Sequence, residues 1–144
     1  MELFRTNGRN LIILVYDRFI KKWRLKMGNI IVLFEVTIKE GKMEDYLKRA
    51  SELKEHLKNI KGFVRAERFS SLQTEGKLLS MTVWENEESV EQWRNLEAHR
   101  LSQKAGRDDD FIDYKITVVK AFREYGMDNR ENAPKDSNDY FKIG

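Results

Sequence analysis

The chain has 144 residues, 40% hydrophobic and 35% charged, with a net charge of +3; that is the composition of a single soluble domain with its own core. It has no cysteine, which excludes disulfides, a thiolate nucleophile and a cysteine metal site, and its two histidines are too far apart to suggest a histidine-rich metal centre. Residues 1–26 hold seven Lys/Arg against Glu2 and Asp17, so the basic charge sits there and the rest of the chain is slightly acidic, which argues against a nucleic-acid surface.

In chain order, Leu11–Tyr16 is too short an apolar run to span a membrane, which needs roughly 20 residues. Phe19, Ile20, Trp23 and Leu25 alternate with Lys and Arg, so residues 1–28 form an extension that would touch an anionic membrane only if it is native. The preferred reading is a start at Met27 and a cytoplasmic protein. Ile30–Ile38 reads as a strand, from its β-branched and aromatic content. Residues 43–60 read as a helix, with Met43, Tyr46, Leu47, Ala50, Leu53, Leu57 and Ile60 at helical spacing and Gly62 after its end. Phe63–Ser71 and Lys77–Trp84 read as a hairpin around Gln73–Gly76. Asn86 then caps a second helix, with Glu87 and Glu88 in its first turn, running unbroken to about Lys104. Asp108–Asp110 is expected to be a solvated loop rather than a cation site, because three consecutive acids do not converge on an ion. Asp113–Glu124 is the fourth strand, with Tyr114, Ile116, Val118 and Phe122 on one face, and residues 127–144 form a loose tail.

The order β-α-β-β-α-β over residues 29–126 predicts an α+β, ferredoxin-like domain with a four-stranded antiparallel sheet and two helices on one face. The other face is apolar as well, so a homodimer with its sheets face to face is expected.

The segments IIVLFEV…KEGKMEDYL, GFVRAERFSSL, GKLLSMTVWENEESVEQWRNLEAHR and QKAGR…DY resemble the antibiotic biosynthesis monooxygenase family of dimeric α/β-barrel proteins. The resemblance implies cofactor-independent oxidation of a quinol or polycyclic phenol by dioxygen, with no flavin and no metal. A phenolate would pass an electron directly to dioxygen, and the protein would supply an apolar cavity, a base and oxyanion donors. The family also includes haem-degrading enzymes and proteins of unassigned role, so haem binding and a non-enzymatic stress protein that binds small aromatics are the alternatives.

Trp93 matches the second-helix Trp that lines the cavity of the haem-degrading relatives. On a continuous helix it lies roughly 60–140° from Val90, Ala98, Leu101 and Ala105, so a packed helix edge competes with a pocket wall. Those relatives carry an axial His nine or ten residues further on, where this chain has Ser102 and Gln103, and an Asn on strand one, where it has Phe34. Haem is therefore disfavoured. His99, roughly 120° round the helix from Trp93, is a candidate base, against a solvated or hydrogen-bonded surface role. Glu35 and Glu67 are the other candidate bases, against a structural Arg–Glu pairing of Glu67 with Arg65 or Arg68. Trp93, Phe34, Trp84 and Arg68 are assigned to substrate binding. His56 is expected to face solvent.

Overall fold

A computed structural model describes residues 28–142. The N-terminal extension, the start at Met27 and any membrane contact through residues 1–26 lie outside them. Four strands, β1 (Ile30–Ile38), β2 (Phe63–Ser70), β3 (Lys77–Trp84) and β4 (Phe111–Lys120), form an antiparallel sheet in the order β2-β3-β1-β4. Helix α1 (Met43–Lys58) connects β1 to β2, and α2 (Glu87–Asn95) with α3 (Glu97–Ala105) connects β3 to β4. This is the expected α+β, ferredoxin-like arrangement. Among the described residues no helix is long and apolar enough to cross a membrane.

Strand parity divides the sheet into two faces, because successive side chains alternate. Ile30, Val32, Phe34, Val36 and Ile38 face the helices and belong to two clusters, one around Val36, Leu78 and Tyr46, the other around Leu57, Trp84 and Val90. Ile31, Leu33 and Glu35 face the other way, opposite Val83, Met81 and Leu79 of β3 and Val119, Thr117 and Lys115 of β4. Two irregularities adjust the pattern. A bulge at Val64 lets Phe63 face Trp84 while Ala66 and Arg68 face Thr82 and Ser80. A register shift at Ile38 pairs that residue with Phe111, which joins the first cluster.

Gly62 holds φ +86° just after α1, and a Cβ there would meet the Ser89 Oγ at 2.1 Å. The turn needs both the left-handed backbone and the missing side chain. Asn86 caps α2 as expected, its Oδ1 accepting from the Ser89 amide at 2.9 Å.

The second helix differs from the sequence reading. It breaks at Leu96, whose backbone is extended (φ −62°, ψ 129°), and restarts as α3 on a new axis. The wheel drawn for one helix therefore fails beyond Asn95, and Leu101, placed on its apolar arc, is 63% exposed. The acidic run differs too. Gly106–Asp110 forms one π-helical turn, and Asp110 is buried in an ion pair with Arg49 of α1 while its carbonyl accepts from the Lys39 amide at 2.7 Å. The fourth strand begins and ends earlier than expected. The tail contains a short helix, α4 (Lys135–Tyr140), and Arg130 ties it together by donating to Asn138 Oδ1 at 2.7 Å and Ser137 Oγ at 2.6 Å.

Candidate functional site: a cavity between the sheet and the helices

The helices do not seal the sheet. Between α1, the α2–α3 pair and the helix-facing side of all four strands lies a cavity of about 530 Å³. Its floor is Val32 and Phe34 of β1 with Ser80 and Thr82 of β3, and Ala66 and Arg68 close one side. Towards the β4 edge the wall is Phe111, Ile116 and Val118, the last two 47% and 53% exposed. A volume of this order holds a bicyclic or tricyclic aromatic, and the largely apolar lining with a few polar groups suits such a ligand.

The break at Leu96 brings Trp93 and His99 together. On one continuous helix the two rings would diverge. With α3 redirected, they stack at a centroid separation of 4.3 Å and 27° between planes, both lining the cavity. Trp93 rests in turn on Trp84 at 6.4 Å. His99 is half-buried, its Nδ1 is out of solvent with no hydrogen-bond partner, and its pKa is pushed down to about 4. Burial is the main cause and the Arg100 charge adds to it, while backbone groups of Arg94 and Trp93 oppose both. His99 is thus a neutral imidazole at pH 7, half-buried against Trp93 rather than fully solvated.

Of the other sequence candidates, Phe34 and Arg68 line the cavity, the Arg68 guanidinium lying 5.5 Å from the centre of the Tyr46 ring. Trp84 does not. It is fully buried beneath Trp93, edge-on to Phe63 at 5.4 Å, with its indole N–H donating to Thr82 Oγ1 at 2.8 Å. It supports the wall and is not part of it.

Glu35 lies away from the cavity, and Glu67 borders it but turns its carboxylate elsewhere. Glu35 lies on the opposite face of the sheet, between Lys77 at 3.3 Å and Lys115 at 3.8 Å. Glu67 pairs with Met81 on that same face, and its carboxylate meets Arg65 at 3.3 Å. Parity rather than distance is the reason: once Phe34 and Arg68 face the helices, their neighbours cannot. Both carboxylates are therefore withdrawn as bases. His56 is exposed, as expected, on α1 beside a smaller recess. Among the described residues no group of three or more His, Asp or Glu side chains is placed to hold a metal ion.

Several lining residues escaped the sequence reading: Lys54 and Ser51 of α1, Arg94 of α2, and the β4 pair Ile116 and Val118. The i, i+3, i+4 spacing of Tyr46, Ala50, Leu53, Lys54 and Leu57 along α1 carried the signal for the first of these. Gly106 makes the wall by being absent. Its backbone is helical, but a Cβ would sit 2.2 Å from Cζ of Phe111. Gly106→Ala is expected to push the Phe111 ring into the cavity and cost about 1–3 kcal/mol by overpacking. A lower Tm together with weaker binding of a bicyclic phenol checks this; a lower Tm with unchanged binding would refute the displacement.

Comparison with known proteins agrees with this geometry. The family model for antibiotic biosynthesis monooxygenase matches residues 29–105, more than half of the chain. The chain is 36% identical over 87 residues to a jasmonate monooxygenase of Pyricularia oryzae, an alignment that covers 60% of this chain and 40% of that longer relative. Among solved structures, SnoaB, a cofactor-independent oxygenase from Streptomyces nogalater, superposes with a TM-score of 0.61 at 10% identity, over 69% of this chain and 99% of that one. A conserved protein from Methanosarcina mazei superposes with a TM-score of 0.62 at 14% identity, over 72% and 98%. At such identities the two structures speak for the fold alone, whereas the match of residues 29–105 takes in β1 to α3 and with them Trp93 and His99: the chain belongs to the antibiotic biosynthesis monooxygenase family.

Proposed function

We propose that the protein is a cofactor-independent monooxygenase that oxidises a quinol or polycyclic phenol in this cavity. The observation that carries the reading is the stacked Trp93–His99 pair, which sets a neutral imidazole against a largely apolar cavity. His99 accepts the phenol proton, and the resulting phenolate passes an electron to dioxygen. Recombination at the ring carbon para to the oxygen and loss of water then give a quinone, so phenol plus dioxygen yields quinone plus water. A base with a pKa of about 4 is weak alone, but the phenolate it creates offsets the cost of the imidazolium beside it. Trp93 is the flat wall against which the substrate ring lies.

We further read the protein as a cytoplasmic homodimer whose open sheet faces meet. The exposed Phe69 and Val119 and the half-buried Ile31, Leu33 and Met81 on that face support this. Size exclusion with light scattering is expected to give twice the chain mass.

The test of the activity is dioxygen uptake by chelator-treated protein against hydroquinones, naphthols and anthrone-type phenols, each with its autoxidation blank. His99→Gln is expected to lower kcat by roughly 10²–10⁴. The base works only when unprotonated, so kcat/KM should be flat at neutral pH and fall as pH drops through about 4, not through 6.5. Uptake no faster than the blank on every substrate would overturn the reading. Ser102 and Gln103 in place of the axial His, and Phe34 in place of the strand-one Asn, point away from haem, so haemin titration should give no Soret shift.

A further inference from the structure

The cavity's charged groups are one-sided. Lys54, Arg68 and Arg94 line it, and the single acid in the lining, Glu67, turns its carboxylate to the opposite face of the sheet and meets Arg65 there. Lys54 and Arg68 make no ion pair with any described residue, although Glu55, bonded to Lys58 at 2.9 Å, lies near enough to feel Lys54. Arg94 reaches only Glu91, at 3.9 Å and at the surface. Arg68 is held over the buried Tyr46 ring, which fixes its guanidinium at the cavity. Among the described residues, this largely apolar cavity with three cations and a neutral imidazole has no counter-charge of its own.

We propose that the ligand supplies it: the cavity takes an aromatic compound bearing a carboxylate, the ring body against Trp93, Ile116 and Val118 and the acid group towards Arg68, with Lys54 and Arg94 adding to the field. Arg68 is the main anchor because a guanidinium can bind a carboxylate through two parallel hydrogen bonds. All three side chains are exposed, so their charges are screened by salt; Arg68 differs in being held over the Tyr46 ring, whereas Lys54 and Arg94 contribute mainly to capture. This deepens the reading above by naming the substrate class of the same cavity, and it rests on that reading only for the location of the site.

Calorimetric titration of the full chain under argon separates the two. The probes are 3-hydroxy-2-naphthoate, its methyl ester and 2-naphthol, and without dioxygen no turnover is required. The acid is expected to bind about tenfold tighter than the ester at low ionic strength, the gap narrowing in 0.5 M salt. Arg68→Gln should remove most of that gap, the acid losing far more affinity than the ester, and Lys54→Gln and Arg94→Gln should each reduce it by about two- to threefold. Circular dichroism checks that each variant is folded. Equal affinity for acid and ester, a preference that survives all three substitutions, or no binding of any probe overturns the proposal. A confirmed preference without dioxygen uptake in air would retain the anion site and overturn only the oxygenase reading.

Discussion

Trp84→Ala is expected to cost about 3–5 kcal/mol of unfolding free energy, the range for deleting a buried large aromatic. The residue is 0% exposed, carries Phe63 on one side and Trp93 on the other, and its indole N–H satisfies Thr82. Thr82 also loses its donor where the cavity floor begins. The loss should therefore reach function as well: with its support gone, Trp93 no longer holds His99, and ligand affinity falls along with stability. Urea unfolding of Trp84→Ala and Trp84→Phe measures this. A cost below about 1 kcal/mol for the alanine variant would show that Trp84 is not the support described.

Asp110→Ala is expected to cost about 2–4 kcal/mol. Asp110 is 1% exposed and paired with Arg49, and removing it leaves a guanidinium partly buried without its counter-charge. The cost sits below that of a fully buried pair because the Arg49 side chain is 31% exposed and water can reach it. Arg49→Met combined with Asp110→Leu should recover much of the loss, since the pair is more expensive to break than to replace. Strict additivity in the double-mutant cycle would refute a direct pairing. The pair joins α1 to the turn before β4, so its loss should also let the Phe111 side of the cavity relax.

Much of the fold was legible because β1 to β3 and α1 follow simple periods. The β-branched and aromatic content of Ile30–Ile38 and the apolar spacing from Met43 to Leu57 each point to one element type. The site was less legible, for local reasons. The run Asn95–Leu96–Glu97 holds neither Gly nor Pro, so nothing in it announces the break that swings His99 onto Trp93. Extra residues in the ladders disturb parity: the bulge at Val64 sets Phe63 and Ala66 on one face though they are three apart, so the direction of Glu67 cannot be counted from Phe63. Glu35, by contrast, could have been placed outside from Phe34 alone. Asp110 resembled its two solvated neighbours because its partner lies on α1, remote in sequence.

The extended residue at Leu96 has a consequence for substrate exchange. Helix α3 carries His99, Ser102 and Gln103, yet none of its residues is fully buried, whereas Val90 and Ser89 root α2 in the core. The inner wall of the cavity is thus anchored in the core, and the outer wall is held at its two ends, by the joint at Leu96 and by the Gly106–Asp110 turn that Arg49 pins to α1. Opening the outer wall exposes little apolar surface and breaks few backbone hydrogen bonds, so it draws on the low-energy end of the molecule's motions. A bulky ring can enter or leave without disturbing the sheet, and amides of α3 are expected to exchange with solvent sooner than those of α2. The same loose attachment leaves α3 open to sequence change at little cost to stability, so descendants of this fold can acquire new ligands by altering one helix face.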